Sequence, residues 1–439
     1  MIRTSNVLRK YVNNCTLRNR EVSLNYFKTK YCFYSSDDSL ELAKQKSNKI
    51  FRHLHAKIQA CGPITIADYM REILTNPWTG YYMTRDVFGE KGDFITSPEI
   101  SQLFGELLGI WIIHEWRKIS KSSFQIVELG PGRGTLIKDI LRVFKQLKLL
   151  DKISIHLVEI SPTLASIQAK NLCVTVEKTN ESKEDSIHYY MKGITEDSIN
   201  VYWYNSVKDV PREFSVFLAH EFFDALPIHK FQKTERGWNE VLVDIIEGSN
   251  EEKFRYVLSN APTPASQLYI LDEEKRDHVE VNPQGMVVVE YLSQFLWECG
   301  GFALICDYGH NGEKTDTFRA FYQHKLHDPL SNPGLADLTA DVDFSMLKKI
   351  AEKDDRLITF GPIAQKNFLK NLGIDTRLQL LLKNGSKEEI KQLISGYQMI
   401  MDKDKMGERF KFLSLFPSVL KQHLQKFPVE DLNKYPNPS

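Results

Sequence analysis

The chain has 439 residues with 57 basic and 57 acidic side chains, so its formal net charge is zero. That balance gives no electrostatic footprint for nucleic acid, and no apolar run approaches the roughly 20 residues that an integral membrane segment needs. With 42% hydrophobic and 26% charged residues, the composition is that of a globular chain with room for one large domain with additions, or for two.

The first 36 residues carry Arg3, Arg9, Lys10, Arg18, Arg20, Lys28 and Lys30 against a single acid, Glu21, with hydroxyl residues between them. An arginine-rich, acid-poor, weakly amphipathic start without a long apolar stretch has the composition of a mitochondrial transit peptide. Residues 40–61 show a mostly helical apolar pattern ended by Gly62-Pro63, and a second short helix is expected over Tyr69 to Leu74. Ser97 suits an N-cap, Pro98 the first helical position and Glu99 the helix dipole, opening a helix expected to run through Phe104, Trp111 and Trp116.

From Phe124 the texture alternates between strands and helices. Strands are expected at Phe124–Leu129, Ile153–Ile160, Val201–Tyr204, Phe214–Ala219 and Gly301–Cys306, with helices over Gly134–Leu147 and from Ser161-Pro162. Such alternation specifies an α/β fold with a doubly wound, mostly parallel sheet. Residues 227–259 interrupt it with three segments that read as antiparallel strands: Ile228–Phe231, Trp238–Ile246 and Phe254–Leu258. Asp307–Thr339 reads as a long loop, residues 363–415 as helical with a final strand at Phe410–Leu415, and 427–439 as a flexible tail. The six cysteines, at 15, 32, 61, 173, 299 and 306, form no CxxC pair and complete no zinc site with histidine. They read as free thiols, and no metal is expected.

The strongest motif is Ile126-Val127-Glu128-Leu129-Gly130-Pro131-Gly132-Arg133-Gly134-Thr135. An apolar strand ends in an acid, a glycine-rich turn follows, and a helix begins. Such a turn lets the backbone approach a ligand closely, and the helix start offers free N–H groups to an anionic group. The dinucleotide fingerprint G-x-G-x-x-G fails at its last position, where Thr135 stands. Gly130, Gly132 and Gly134 instead form G-x-G-x-G, as in enzymes that use S-adenosyl-L-methionine, whose ammonium Glu128 can balance. The next strand also ends in an acid, Glu159, suited to the ribose hydroxyls of an adenosine. A strand-end glutamate can equally be merely solvent-exposed. A third motif, His220-Glu221-Phe222-Phe223-Asp224-Ala225-Leu226-Pro227, puts two acids among aromatics after the fourth strand. Glu221 first and Asp224 second are candidates to orient a guanidinium or amine nucleophile and draw on its proton, with phenylalanines excluding water. The alternative is that the aromatics are core and the acids satisfy backbone N–H groups. Asp307-Tyr308-Gly309-His310, at a later strand end, is a weaker pocket candidate.

These motifs, with Gly92–Ser101, Ala336–Phe344 and Met406–Phe410, resemble the family of mitochondrial protein-arginine methyltransferases that serve as assembly factors for respiratory complex I, together with their bacterial relatives. The resemblance spans roughly residues 40–415 and departs at His220, where bacterial members tend to carry Asn. It implies an enzyme of the mitochondrial matrix that adds one methyl to each terminal nitrogen of an arginine. The implied partner is the 49-kDa core subunit of complex I.

The combined expectation is a Rossmann-like methyltransferase domain over 121–426, holding inserted substrate-facing strands at 227–259. Residues 37–120 would form a helical segment packing over the cofactor. Glu128, Gly130, Pro131, Gly132, Gly134 and Glu159 would bind S-adenosyl-L-methionine, Thr96, Ser97 and Glu99 would close over it, and Glu221 and Asp224 would act in catalysis. The competing readings are a non-catalytic assembly chaperone that kept the fold and, disfavoured by Thr135, a nicotinamide oxidoreductase. Deletion of residues 1–36 is expected to leave a folded, cofactor-binding protein that isolated mitochondria no longer import. Import of the shortened chain at the full-length rate would overturn the assignment.

Overall fold

The computed structural model describes residues 36–83, 96–179, 188–248, 253–270, 274–383, 385–427 and 429, with side chains from 47 onward. The expected transit segment lies outside the described residues except for Ser36, and the expected tail except for Phe427 and Val429. The main sheet contains β1 (Phe124–Leu129), β2 (Ile153–Val158), β3 (Thr175–Lys178), β4 (Met191–Ile194), β5 (Asn200–Tyr204), β6 (Ser215–His220), β7 (Gly301–His310), β8 (Leu357–Ala364) and β9 (Phe410–Pro417). Their spatial order is β8-β9-β7-β6-β1-β2-β5-β4-β3, and Val342–Asp343 pairs with the end of β7. Neighbours from β7 through β6, β1 and β2 to β5 are parallel, whereas β9 runs antiparallel to both β7 and β8.

β1 is buried along its whole length, as a central parallel strand must be with both faces covered. Successive side chains alternate between two cores. Phe124 and Ile126 face α3 (Gln102–Ile119) and α4 (Thr135–Gln146), while Val127 and Leu129 face α6 (Pro283–Cys299). The chain steps from β1 to β2 and β5 on one side, then returns to lay β6 on the other. The carboxyl ends of β1 and β6 therefore flank the topological switch point, where open α/β sheets leave a crevice for a ligand.

The helix expected from Ser97 is broken. Ser97–Ile100 forms a single turn, and Ser101, in extended conformation, caps α3 by accepting the Leu103 N–H. Helices α1 (Ser36–Cys61) and α2 (Ile66–Thr75) lie elsewhere. Ile50, Leu54, Ile58, Tyr69 and Ile73 share a separate core with Ile228, Val243, Phe254 and Leu338. Its sheet joins Ile64–Thr65, Gly237–Ile245, Phe254–Leu258, His229–Thr234 and His278–Val281. The stretch read as a long loop after Asp307 continues β7 to His310 and then forms a three-stranded sheet of Arg319–Tyr322, Lys325–His327 and Asp337–Thr339. β8 reaches only its last two residues into the stretch expected to be helical, and it ends the sheet against β9. Cys61, Cys173, Cys299 and Cys306 are free. No helix among the described residues is long and apolar enough to cross a membrane.

One buried ion-pair network ties three helices. Glu106 of α3 is 1% exposed and meets Arg377 Nε of α7 (Ile374–Leu382) at 2.8 Å and Arg142 Nη1 of α4 at 3.2 Å. Removing one partner of a buried pair leaves an uncompensated charge. Arg377→Met is expected to lower unfolding free energy in urea by about 3 kcal/mol, with part of the loss recovered in Glu106→Gln/Arg377→Met. Wild-type stability in the single variant would show that the network does not anchor α7.

Candidate functional site

The glycine turn lies between β1 and α4. Gly130, Gly132 and Gly134 have φ of +62°, +54° and +79°, a region that side chains with a Cβ rarely adopt. A Cβ on Gly130 would also approach the Phe222 ring to 3.0 Å. The turn is pinned by Gly130 N–H donating to Val158 O at 3.0 Å and Gly134 N–H donating to Pro131 O at 2.8 Å.

Beside this turn is a cleft of about 380 Å³, lined by Thr96, Pro98, Glu99, Glu128, Gly130, Pro131, Gly132, Arg133, Thr135, Leu136, His220 and Glu221. The strand ends of β1 and β6 thus bring Glu128 and Glu221 to one cavity with the glycines between. Thr96 and Glu99 are on its wall, and Arg133 Nη1 stands 3.6 Å from Glu99 Oε1. Ser97 sits just behind and donates its N–H to Glu221 Oε1 at 3.4 Å. Gly134 caps α4.

Glu159 and Asp224 lie off that wall. Glu159 is nearly buried, accepting the Ser161 N–H at 2.7 Å on one oxygen and Gln168 Nε2 at 2.9 Å on the other. Gln168, on α5 (Pro162–Leu172), donates from the same nitrogen to Gly132 O at 2.8 Å, while its oxygen accepts Trp203 Nε1 at 2.9 Å. It thereby couples the second acid to the glycine turn. Asp224 accepts hydrogen bonds from the Tyr308 hydroxyl and, at 3.0 Å, from Thr339 Oγ1. Sequence reasoning missed Gln168, Tyr308 as a partner, and Thr339. A fully buried glutamine leaves no mark in local spacing, and the other two reach Asp224 only through tertiary folding.

The electrostatics are those of acids held out of water. Burial first, and then the neighbouring Glu159, push the Glu128 carboxyl up to about 8. Burial raises Glu159 to about 7 against the hydrogen bonds that favour its ionised form. Glu221 is raised well above the usual carboxyl range by burial and by Asp224, Glu99 and Asp337. His220 is pushed down to about 3 by burial, so it is neutral near pH 7. Glu128 Oε2 has no hydrogen-bond partner among the described residues. A buried, unsatisfied carboxylate oxygen in a cleft with a glycine turn fits a cationic amino-acid group, and the α4 N–H groups fit its carboxylate.

Comparison with known proteins decides the class. The family model described as "Putative S-adenosyl-L-methionine-dependent methyltransferase" matches residues 107–363. The chain belongs to that family. It is 54% identical over 390 residues to the mitochondrial protein arginine methyltransferase NDUFAF7 of Homo sapiens, covering 88% of this chain and 87% of the relative. Against the protein of the same name from Danio rerio identity is 56% over 373 residues, covering 84% and 87%. The Drosophila melanogaster homologue is 50% identical over 391 residues, covering 88% and 89%. A protein from Burkholderia thailandensis solved with S-adenosyl-homocysteine shares the fold at a TM-score of 0.69 and 22% identity, covering 89% of this chain and 96% of that one. This chain is therefore a methyltransferase whose cofactor is S-adenosyl-L-methionine, and it stands among protein arginine methyltransferases.

A carboxyl that is protonated below about pH 8 must lose its proton to pair with an ammonium. Cofactor affinity is expected to strengthen from about pH 6 to pH 8, and Glu128→Gln to bind more weakly with a flatter dependence. Calorimetric titration across that range checks this. Equal pH dependence in the two proteins would remove Glu128 from the ammonium site.

Proposed function

We propose that this protein transfers methyl groups to both terminal nitrogens of an arginine in a complex I core subunit, the 49-kDa one, within the mitochondrial matrix during complex I assembly. The observation that carries the reading is Glu221: a carboxylate at the end of β6, on the wall of the cleft that also holds Glu128 and the glycine turn. The kinship with mitochondrial arginine methyltransferases supports the substrate class and the compartment.

S-adenosyl-L-methionine supplies the electrophilic methyl. Glu128 meets its ammonium, the turn Gly130-Pro131-Gly132 and Gly134 at the start of α4 cradle its amino-acid end, and Glu159 takes the ribose side. Thr96, Ser97 and Glu99 close the opposite wall. An arginine side chain has a pKa above about 12, so the attacking nitrogen must shed a proton as the new C–N bond forms. Glu221 orients the guanidinium and accepts that proton. Asp224, held by Tyr308 and Thr339, supports the guanidinium electrostatically from behind. Phe222, against Gly130, keeps water out and so strengthens each charge interaction.

Glu221→Gln is expected to keep near-normal cofactor affinity and lose roughly tenfold or more of the methyl-transfer rate, since a hydrogen bond to a charged group is worth about 1.5–3 kcal/mol. Asp224→Asn is expected to be milder. Single-turnover transfer of radiolabelled methyl to the complex I subunit reads both. A wild-type rate in Glu221→Gln would put the chemistry elsewhere.

A further inference from the structure

The turn that carries the two acids is held by a residue outside both the cleft wall and the glycine motif. Glu221 has φ of +50°, unusual for a side chain with a Cβ, and its N–H donates to Cys306 O at 2.9 Å. The next three amides converge on one atom. Phe222, Phe223 and Asp224 N–H groups lie 3.2, 3.0 and 3.4 Å from Asp307 Oδ2. The other oxygen, Oδ1, accepts the Tyr308 N–H at 3.0 Å. Asp307 is fully buried, and its chain neighbour Tyr308 supplies the hydroxyl that meets Asp224.

We propose that Asp307 is a positioning residue for methyl transfer: by gathering three successive amides it fixes the turn so that Glu221 faces the cleft while Asp224 faces Tyr308 and Thr339. Successive N–H groups aimed at one point form an anion-binding nest, and here the protein fills the nest with its own carboxylate. The bonds are charge-assisted, and the left-handed backbone at Glu221 persists because the surrounding structure over-determines it. The inference rests on the reading of Glu221 as the partner of the substrate guanidinium.

Asp307 faces Glu221, Asp224, the Cys306 thiol and Tyr308. Glu221 faces Asp224, Glu99, Asp337 and His220, and Asp224 also faces Arg319. Burial and the facing Asp224 and Glu221 raise the Asp307 carboxyl well above its usual range, and the amides it accepts oppose that rise by favouring the ionised form.

Asp307→Asn keeps one oxygen that accepts amides and removes the charge. The full-length variant is expected to bind S-adenosyl-L-methionine within about twofold of wild type and to lose roughly tenfold or more in kcat for arginine methylation. Tyr308→Phe, which keeps the ring and deletes only the hydroxyl that meets Asp224, is expected to lower kcat with cofactor affinity unchanged. A wild-type kcat in a folded Asp307→Asn would overturn the proposal. Cofactor affinity and thermal stability falling together with kcat in Asp307→Asn, while Tyr308→Phe retains full activity, would also overturn it, because the residue would then be a general structural support. Absence of arginine methylation by the wild-type protein would instead sink the reading beneath the proposal, and this inference with it.

Discussion

Each carboxylate set toward the carboxyl end of β1, β2, β6 or β7 gives up hydration, a loss of several kcal/mol per ion unless donors or a counter-charge replace the water. The structure treats its acids in different ways. Asp307 receives four backbone N–H groups. Asp224 receives two hydroxyls. Glu159 receives an amide and a glutamine. Glu128 keeps an oxygen without a partner, and Glu221 gets one long contact from Ser97. Among the described residues Asp224 also keeps one oxygen, Oδ1, without a partner. Asp307 and Glu159 are the acids whose donors hold the frame, while Glu128 and Glu221 on the cleft wall are short of donors.

How far this was legible from the chain follows from where the information resides. β1, β2 and β6 are predominantly apolar segments between turn signals, so their bounds were readable to within two residues. Strand-end acids and the glycine turn are contiguous in sequence, so the cleft's central residues could be named. The break at Ser101 was not readable because both sides of it are good helix, and only the serine's side chain on the Leu103 N–H marks the new start. β3, with all four residues exposed, lacks the apolar alternation that flags a strand. β8 holds only partly buried residues along most of its length and contains Gly361-Pro362, a pair that reads as a loop. The hub at Asp307 joins residues more than 80 positions apart, and such a contact belongs to tertiary structure alone.

The glutamine link has a related lesson. Gln168 spans from Gly132 O to Glu159 Oε2 with one amide nitrogen, while Trp203 anchors its oxygen. A side-chain amide has two donors and one carbonyl, and here all of its functional ends are directed. Orientation of the acid on β2 relative to the turn after β1 is therefore set by α5 and β5 as well as by the strands themselves. That is rigidity imposed from outside the cleft, of the kind a site needs when its own groups are under mutual repulsion.

The place of β9 has a bearing on the order of assembly. This strand begins at Phe410, yet it lies between β7 and β8 and pairs along both. Until it arrives, the hydrogen-bonding edge of β7 stands open and β8 has no partner in the sheet. More than 400 residues of chain must therefore be present before the sheet can close. High contact order of this sort slows folding and leaves strand edges open to other chains until the last strand docks.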